Sequence, residues 1–154
     1  MLKLSKLADY ATVLMTAIAA DPARVHNGHE LAVRTHVPAP TVAKLLKTLA
    51  RGGLLESLRG AHGGYRLTRA PEKLSVAEVI RALEGPIAVT QCSTHGGGCG
   101  IESHCATRAN WRLINAAIRE ALEAVTLAQM AAPLRRSQET PIHFMLPSRA
   151  AVRH

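Results

Sequence analysis

Pro40-Thr41-Val42-Ala43-Lys44-Leu45-Leu46-Lys47-Thr48-Leu49-Ala50-Arg51-Gly52-Gly53 is the stretch on which the fold turns. Val42, Leu45, Leu46 and Leu49 fall at i, i+3, i+4 and i+7, which makes one helical face apolar, while Lys44, Lys47, Thr48 and Arg51 gather on the opposite side. Pro40 at the first helical position opens this helix and Gly52-Gly53 ends it. Just upstream, Glu30-Leu31-Ala32-Val33-Arg34 reads as a shorter helix, and His36-Val37-Pro38-Ala39 as the tight turn between the two. A helix-turn-helix places such a second helix in the DNA major groove, with N-terminal residues such as Thr41 near base edges and the cations near phosphates. Solvated lysines on an exposed helix face are the ordinary alternative, so the flanking sequence has to decide.

Downstream, Leu54-Leu55-Glu56-Ser57-Leu58-Arg59 and Tyr65-Arg66-Leu67-Thr68 are strand-like runs separated by Gly60-Ala61-His62-Gly63-Gly64. A hairpin directly after a helix-turn-helix is the wing of a winged helix. Arg59, Gly60 and His62 at its tip are then candidates for contact with a phosphate or a narrow minor groove. Upstream, Leu7, Ala11, Leu14, Met15 and Ile18 predict a first helix with one buried stripe, Ser5 as N-cap and Asp21-Pro22 as the stop. Asp9 falls on the other side of that helix, with Thr12 and Thr16, and points away from its own core.

Beyond Pro71, Ser75-Val76-Ala77-Glu78 matches a capping box that opens a helix with Val76, Val79, Ile80 and Leu83 as its stripe, ended by Gly85-Pro86. Residues 87–91 lead into Cys92-Ser93-Thr94-His95-Gly96-Gly97-Gly98-Cys99-Gly100-Ile101-Glu102-Ser103-His104-Cys105, which holds all three cysteines. The spacing is too wide for zinc-knuckle pairs yet short enough for three thiolates to converge on one centre. The glycines would let the backbone wrap around it. An iron-sulfur site completed by a fourth ligand, structural zinc with His95 or His104 as fourth ligand, and a metal-free thiol switch all remain open.

After Cys105, Trp111, Ile114, Ile118, Ala121, Leu122 and Val125 form one stripe of a long helix, to which Leu127–Met130 add a further turn. A long helix beyond a compact domain with one apolar side predicts packing against a second copy of the chain. From Pro133 onward periodicity is lost, and the end of the chain reads as a disordered tail.

Composition agrees with this division. Residues 1–75 carry eleven Lys or Arg against five Asp or Glu, net +6, whereas the remainder carries eight against six, net +2. The anion-seeking part is thus the N-terminal half, and duplex phosphate is the leading candidate. Aromatic residues are only 3%, which argues against single-strand recognition by base stacking. No window approaches a membrane span, and the odd cysteine count without a secretory leader pattern points to a reducing cytoplasm. There is no Cys-x-x-Cys pair, no Ser/His/Asp arrangement and no phosphate-binding glycine motif, so an enzyme is not expected.

Leu4-Ser5-Lys6-Leu7-Ala8-Asp9-Tyr10-Ala11, the Arg59–Leu67 wing, the three-cysteine segment and Asn110-Trp111 together resemble the bacterial IscR/NsrR family of winged-helix iron-sulfur regulators. Ile114–Leu122 and Val125–Ala128 look most like the subgroup that regulates SUF cluster-assembly genes. The resemblance covers about residues 1–130. It implies a homodimer that binds palindromic, double-stranded operator DNA and senses iron, cluster supply, oxidants or nitric oxide through a cluster; the expected role of this chain is that of a repressor. It also implies Cys92, Cys99 and Cys105 as ligands. The position three residues after the last cysteine, a histidine in IscR-type members, is Arg108, which cannot ligate. NsrR-type members use an aspartate from the partner subunit's first helix, and Asp9 matches it, with His95, His104 and Glu102 as competitors. Three cysteines and an aspartate favour a 4Fe-4S over a 2Fe-2S cluster. The expected architecture is mainly α with a small β-hairpin wing. It comprises a winged helix-turn-helix DNA-binding domain over residues 1–86, a cysteine-rich cluster-binding loop over 87–106, a dimerisation helix over 107–132 and a disordered tail over 133–154.

Overall fold

The computed structural model describes residues 3–93 and 99–133. The side chains of Cys92 and Glu102 are not among what is described, and His95 and the expected tail from residue 134 onward lie outside the described residues. The fold is mainly helical with one antiparallel hairpin, in the order α1 (Lys6–Ala19), α2 (Gly28–Thr35), α3 (Ala39–Arg51), β1 (Leu55–Leu58), β2 (Gly64–Leu67), α4 (Val76–Glu84), α5 (Arg108–Ala124) and α6 (Leu127–Ala131). Short 3-10 turns at Pro71–Lys73, Gln91–Ser93 and Glu102–His104 punctuate the connections.

Local chemistry explains most boundaries. Ser5 caps α1 by accepting a hydrogen bond from Ala8 N at 3.1 Å. Asn27 caps α2 by accepting from Glu30 N at 3.0 Å. The α2–α3 turn passes through His36 at φ 56, buries Val37 and reaches α3 with Pro38 as its N-cap, so Pro40 occupies the second helical position rather than the first. At α4 the capping box forms as the sequence implies: Ser75 Oγ accepts from Glu78 N, and Glu78 Oε2 accepts from Ser75 N.

The core lies where α1, α2, α3, α4, the hairpin and α6 meet, around Leu14, Met15, Ile18, Leu31, Leu45, Leu46, Leu49, Leu74 and Leu127. Leu7 departs from the expected stripe. It lies on the correct face of α1 but in its first turn, beyond the elements that bury the rest, and stays 38% exposed, while Ala8 is fully buried. The hairpin pairs Leu55 with Leu67 and Glu56 with Arg66, so its inner face adds Leu55 and Leu67 to the core.

The C-terminal helical region is also not one continuous helix. The chain becomes extended at Val125, Thr126 pairs with Ser75, and Leu127 N donates to Leu74 O at 2.8 Å before α6 begins. A second capping box, between Thr126 and Gln129, explains the restart. Leu127 is consequently fully buried in the core beside α1, and the last part of the 107–132 stretch packs with the winged domain. Among the described residues no helix is long and apolar enough to cross a membrane.

Candidate nucleic-acid interface and cysteine site

The second helix of the helix-turn-helix divides cleanly in two. Val42, Leu45, Leu46 and Leu49 are buried, whereas Lys44, Lys47 and Arg51 are exposed. At roughly 100° per residue, those three cations share an arc of about 60° opposite the buried face. Thr41 and Thr48 border the arc and are half-buried, and Thr48 Oγ1 bonds back to Lys44 O at 3.1 Å.

Charge pairing separates these cations from the structural ones. Arg24 and Arg34 pair with Glu30, Arg66 pairs with Glu56 at 2.8 Å across the hairpin, and Arg69 pairs with Glu78 at 2.7 Å. Among the described residues, no carboxylate pairs with Lys44, Lys47, Arg51 or Arg59. Their charge is available to an outside anion. At the wing tip, Arg59, Gly60 and His62 are all exposed. Gly60 has φ 112 and its carbonyl accepts from Gly63 N at 3.0 Å. A Cβ on Gly63 would collide with Leu58 O, so the tip tolerates no side chain there.

His26 was not legible as part of this interface. It is fully buried at the root of the wing, exchanges two backbone hydrogen bonds of 2.8 Å with Tyr65, and its Nε2 lies 2.9 Å from Asp21 O. Arg34 approaches Nδ1 at 3.5 Å and donates to Ala17 O at 3.1 Å, tying α1, α2 and the wing together. A single histidine in a loop gives no sequence periodicity by which to find it.

The cysteines lie in the connector between α4 and α5. Cys92 is in the turn Gln91–Ser93, which packs on α5; Cys99 and Cys105 are free and half-buried. Cys105 stands three residues ahead of α5 in an open depression of about 550 Å³ lined also by Ser103, Arg108 and Arg112. The Thr107 hydroxyl, 3.4 Å from Cys105 Sγ, is the main cause of a thiol pKa below the usual cysteine value. The Thr107 N–H adds to it, desolvation opposes it, and the Arg108 N–H and charge lower it further by lesser amounts. His104 is exposed, with Nδ1 2.8 Å from Ser103 Oγ. Asp9 is exposed on α1 and has no ion pair among the described residues. Among the described residues, no three His, Cys, Asp or Glu side chains come together to hold a metal.

Asn115 is a second residue that sequence reasoning passed over. It sits on the apolar stripe of α5, is 6% exposed, and holds the connector by its side-chain amide: Oδ1 accepts from Val89 N at 3.1 Å and Nδ2 donates to Ile87 O at 3.2 Å. An asparagine in the middle of an apolar stripe was the available signal.

A family model described as Rrf2, iron-dependent transcriptional regulator, matches residues 4–133. The chain belongs to the Rrf2 family. It is 31% identical over 131 residues to an HTH-type transcriptional regulator of Mycobacterium tuberculosis, covering 84% of this chain and 81% of the relative. Among solved structures, CymR of B. subtilis, the global cysteine regulator, superposes with a TM-score of 0.69 at 30% identity over 85% of this chain and 97% of CymR. IscR of T. potens gives 0.68 at 29% identity over 89% and 93%. The Rrf2 match makes the chain a helix-turn-helix transcriptional regulator and not an enzyme, and its winged fold is that of the family. Rrf2 regulators bind DNA, and both the basic face of α3 and the wing tip present exposed cations that have no carboxylate partner among the described residues.

Proposed function

We propose that this Rrf2 regulator binds operator DNA in the cytoplasm as a homodimer. It represses SUF-type iron-sulfur assembly genes and responds to an iron-sulfur cluster held by Cys92, Cys99, Cys105 and Asp9 of the partner subunit. The observation that carries the DNA half is the row of exposed, unpaired Lys44, Lys47 and Arg51 opposite the buried face of α3, joined by Arg59, Gly60 and His62 at the wing tip. Thr41 and Thr48 at the border of that row are suited to base-edge contact, and the lysines to phosphate.

For the cluster, the donor chemistry fits. Thiolate is the ligating form, and Cys105 has it favoured by Thr107 and Arg108. Asp9 is an exposed, unpaired carboxylate that faces away from its own core, as donation to another subunit requires. A bound 4Fe-4S cluster would supply a redox-sensitive centre whose presence or loss constrains or releases the cysteine segment. What the chain contributes is position: Cys92 on the turn against α5 and Cys105 just ahead of its first residue, so both ends of the segment address the same helix. A switch requires that the two states of this segment differ in DNA affinity.

The second reading is a winged-helix repressor with structural zinc or a metal-free thiol switch. It is favoured by the likeness to CymR, a cysteine regulator.

Selection from a random duplex library, run anaerobically on reconstituted and on metal-free protein, tests the proposal. The expected result is an inverted repeat with half-sites about one helical turn apart, enriched by one state over the other and found upstream of cluster-assembly genes. Enrichment of the same sequence to the same degree by both states would overturn cluster control. Enrichment of nothing would overturn operator binding.

A further inference from the structure

Residues 86–89 cross from α4 to the cysteine turn with space on both sides. One cavity of about 420 Å³ is lined by Leu4, Ile80, Ile118 and Leu122, and another of about 390 Å³ by Arg81, Ser93 and Arg119; Pro86 and Ile87 line both. Gly85, at φ 81, starts this connector in a conformation closed to most side chains. Among the described residues, both hydrogen bonds that residues 86–89 make are with Asn115, through Val89 N and Ile87 O. Asn115 therefore replaces a strand partner with one side chain, and it does so from the middle of α5, the helix on which the Cys92 turn also packs. The same helix returns to the winged domain through contacts with α4, the Arg81–Glu123 pair at 3.7 Å, and α6 in the core.

We propose that Asn115 is the positioning residue that couples the cysteine segment to the DNA-binding domain. This rests on the regulatory reading above and names its relay. With its amide in place, the connector, the Cys92 turn and α5 move as one body, so a change in the segment is passed to α4 and the core. Without it, the connector slackens into the neighbouring cavities and the change is absorbed before it reaches the domain. The Asn115 amide is engaged with the backbone of the connector, at Val89 N and Ile87 O, so its loss affects the difference between states rather than binding itself.

The test compares wild type with Asn115→Ala in three measurements on the full chain. These are iron and sulfide per chain after anaerobic reconstitution, the ratio of operator Kd between reconstituted and metal-free protein, and amide exchange at Val89 in the metal-free form. The expected result is wild-type iron and sulfide content, faster exchange at Val89 with exchange inside α3 unchanged, and a Kd ratio that falls toward one. A wild-type Kd ratio retained by Asn115→Ala overturns the relay while leaving cluster control standing. A ratio of one in the wild type itself overturns both. Should Asn115→Ala not fold, the isosteric Asn115→Asp keeps an acceptor for Val89 N, loses the donor to Ile87 O, and is read by the same ratio.

Discussion

Glu78 does two things at the start of α4: its carboxylate closes the capping box on Ser75 N and pairs with Arg69. Burial alone would raise its pKa. The Ser75 N–H, then the Arg69 hydrogen bond and charge, outweigh that and hold it below the ordinary 4.5. A carboxylate depressed on folding adds stability that is present above its unfolded pKa and lost as pH falls through the folded one. Glu78→Ala is expected to cost about 1 kcal/mol at pH 7, the worth of a cap. The deficit should shrink in urea melts taken below pH 4.5; one that stayed constant would remove the charge from the explanation. In the metal-free chain the Cys105 thiol is likewise held below its ordinary pKa, by the Thr107 hydroxyl first. Its alkylation by iodoacetamide should begin at lower pH than that of an ordinary thiol, and Thr107→Val should move the profile back up, followed by mass spectrometry. On the DNA side, alanine at Lys44 and Lys47 together should weaken binding across sequences and lower the salt slope by about two. An unchanged slope would exclude both from phosphate contact. These residues were legible in the sequence because helical periodicity places cations directly, whereas Asn115 and His26 act through backbone contacts with distant segments that no spacing rule encodes.

Helices α1 to α4 and the hairpin follow from apolar spacing, caps and glycine pairs, each a local signal. The break between α5 and α6 does not follow from spacing, because Val125 and Leu127 sustain an apolar pattern across it. The decisive signal was the capping sequence Thr126-Leu127-Ala128-Gln129, a local start in competition with a continuing stripe. The tertiary gain settles that competition, since Leu127 is fully buried against the core. Leu127→Ala is therefore expected to cost about 2–5 kcal/mol in urea unfolding, whereas Met130→Ala, at an exposed position of the same helix, should stay within about 0.5 kcal/mol. Equal effects would mean that α6 is not part of the domain core. The cysteine segment was the least legible element. Its spacing limits how far apart the thiols can be but not how they face, and glycines widen the choice of backbone paths.

At the scale of the whole molecule, Trp111, Leu113 and Ile114 on α5 are 37%, 58% and 43% exposed in the single chain, with Leu4 and Leu7 also uncovered. Trp111 and Ile114 share one side of α5, and in the proposed homodimer a second copy would cover them. Ile114→Glu should shift sedimentation from dimer to monomer and weaken operator binding by roughly tenfold or more, about 1.4 kcal/mol; a monomeric wild type would contradict the homodimer. The central claim, that the three cysteines and Asp9 serve a cluster, is tested most directly by anaerobic purification and reconstitution. An absorption spectrum should be taken with iron, sulfide and zinc assayed on the same sample. A brown protein with broad sulfide-to-iron bands and about four irons and four sulfides per chain is expected. A colourless protein with about one zinc per chain, or one that stays metal-free through reconstitution, would contradict it.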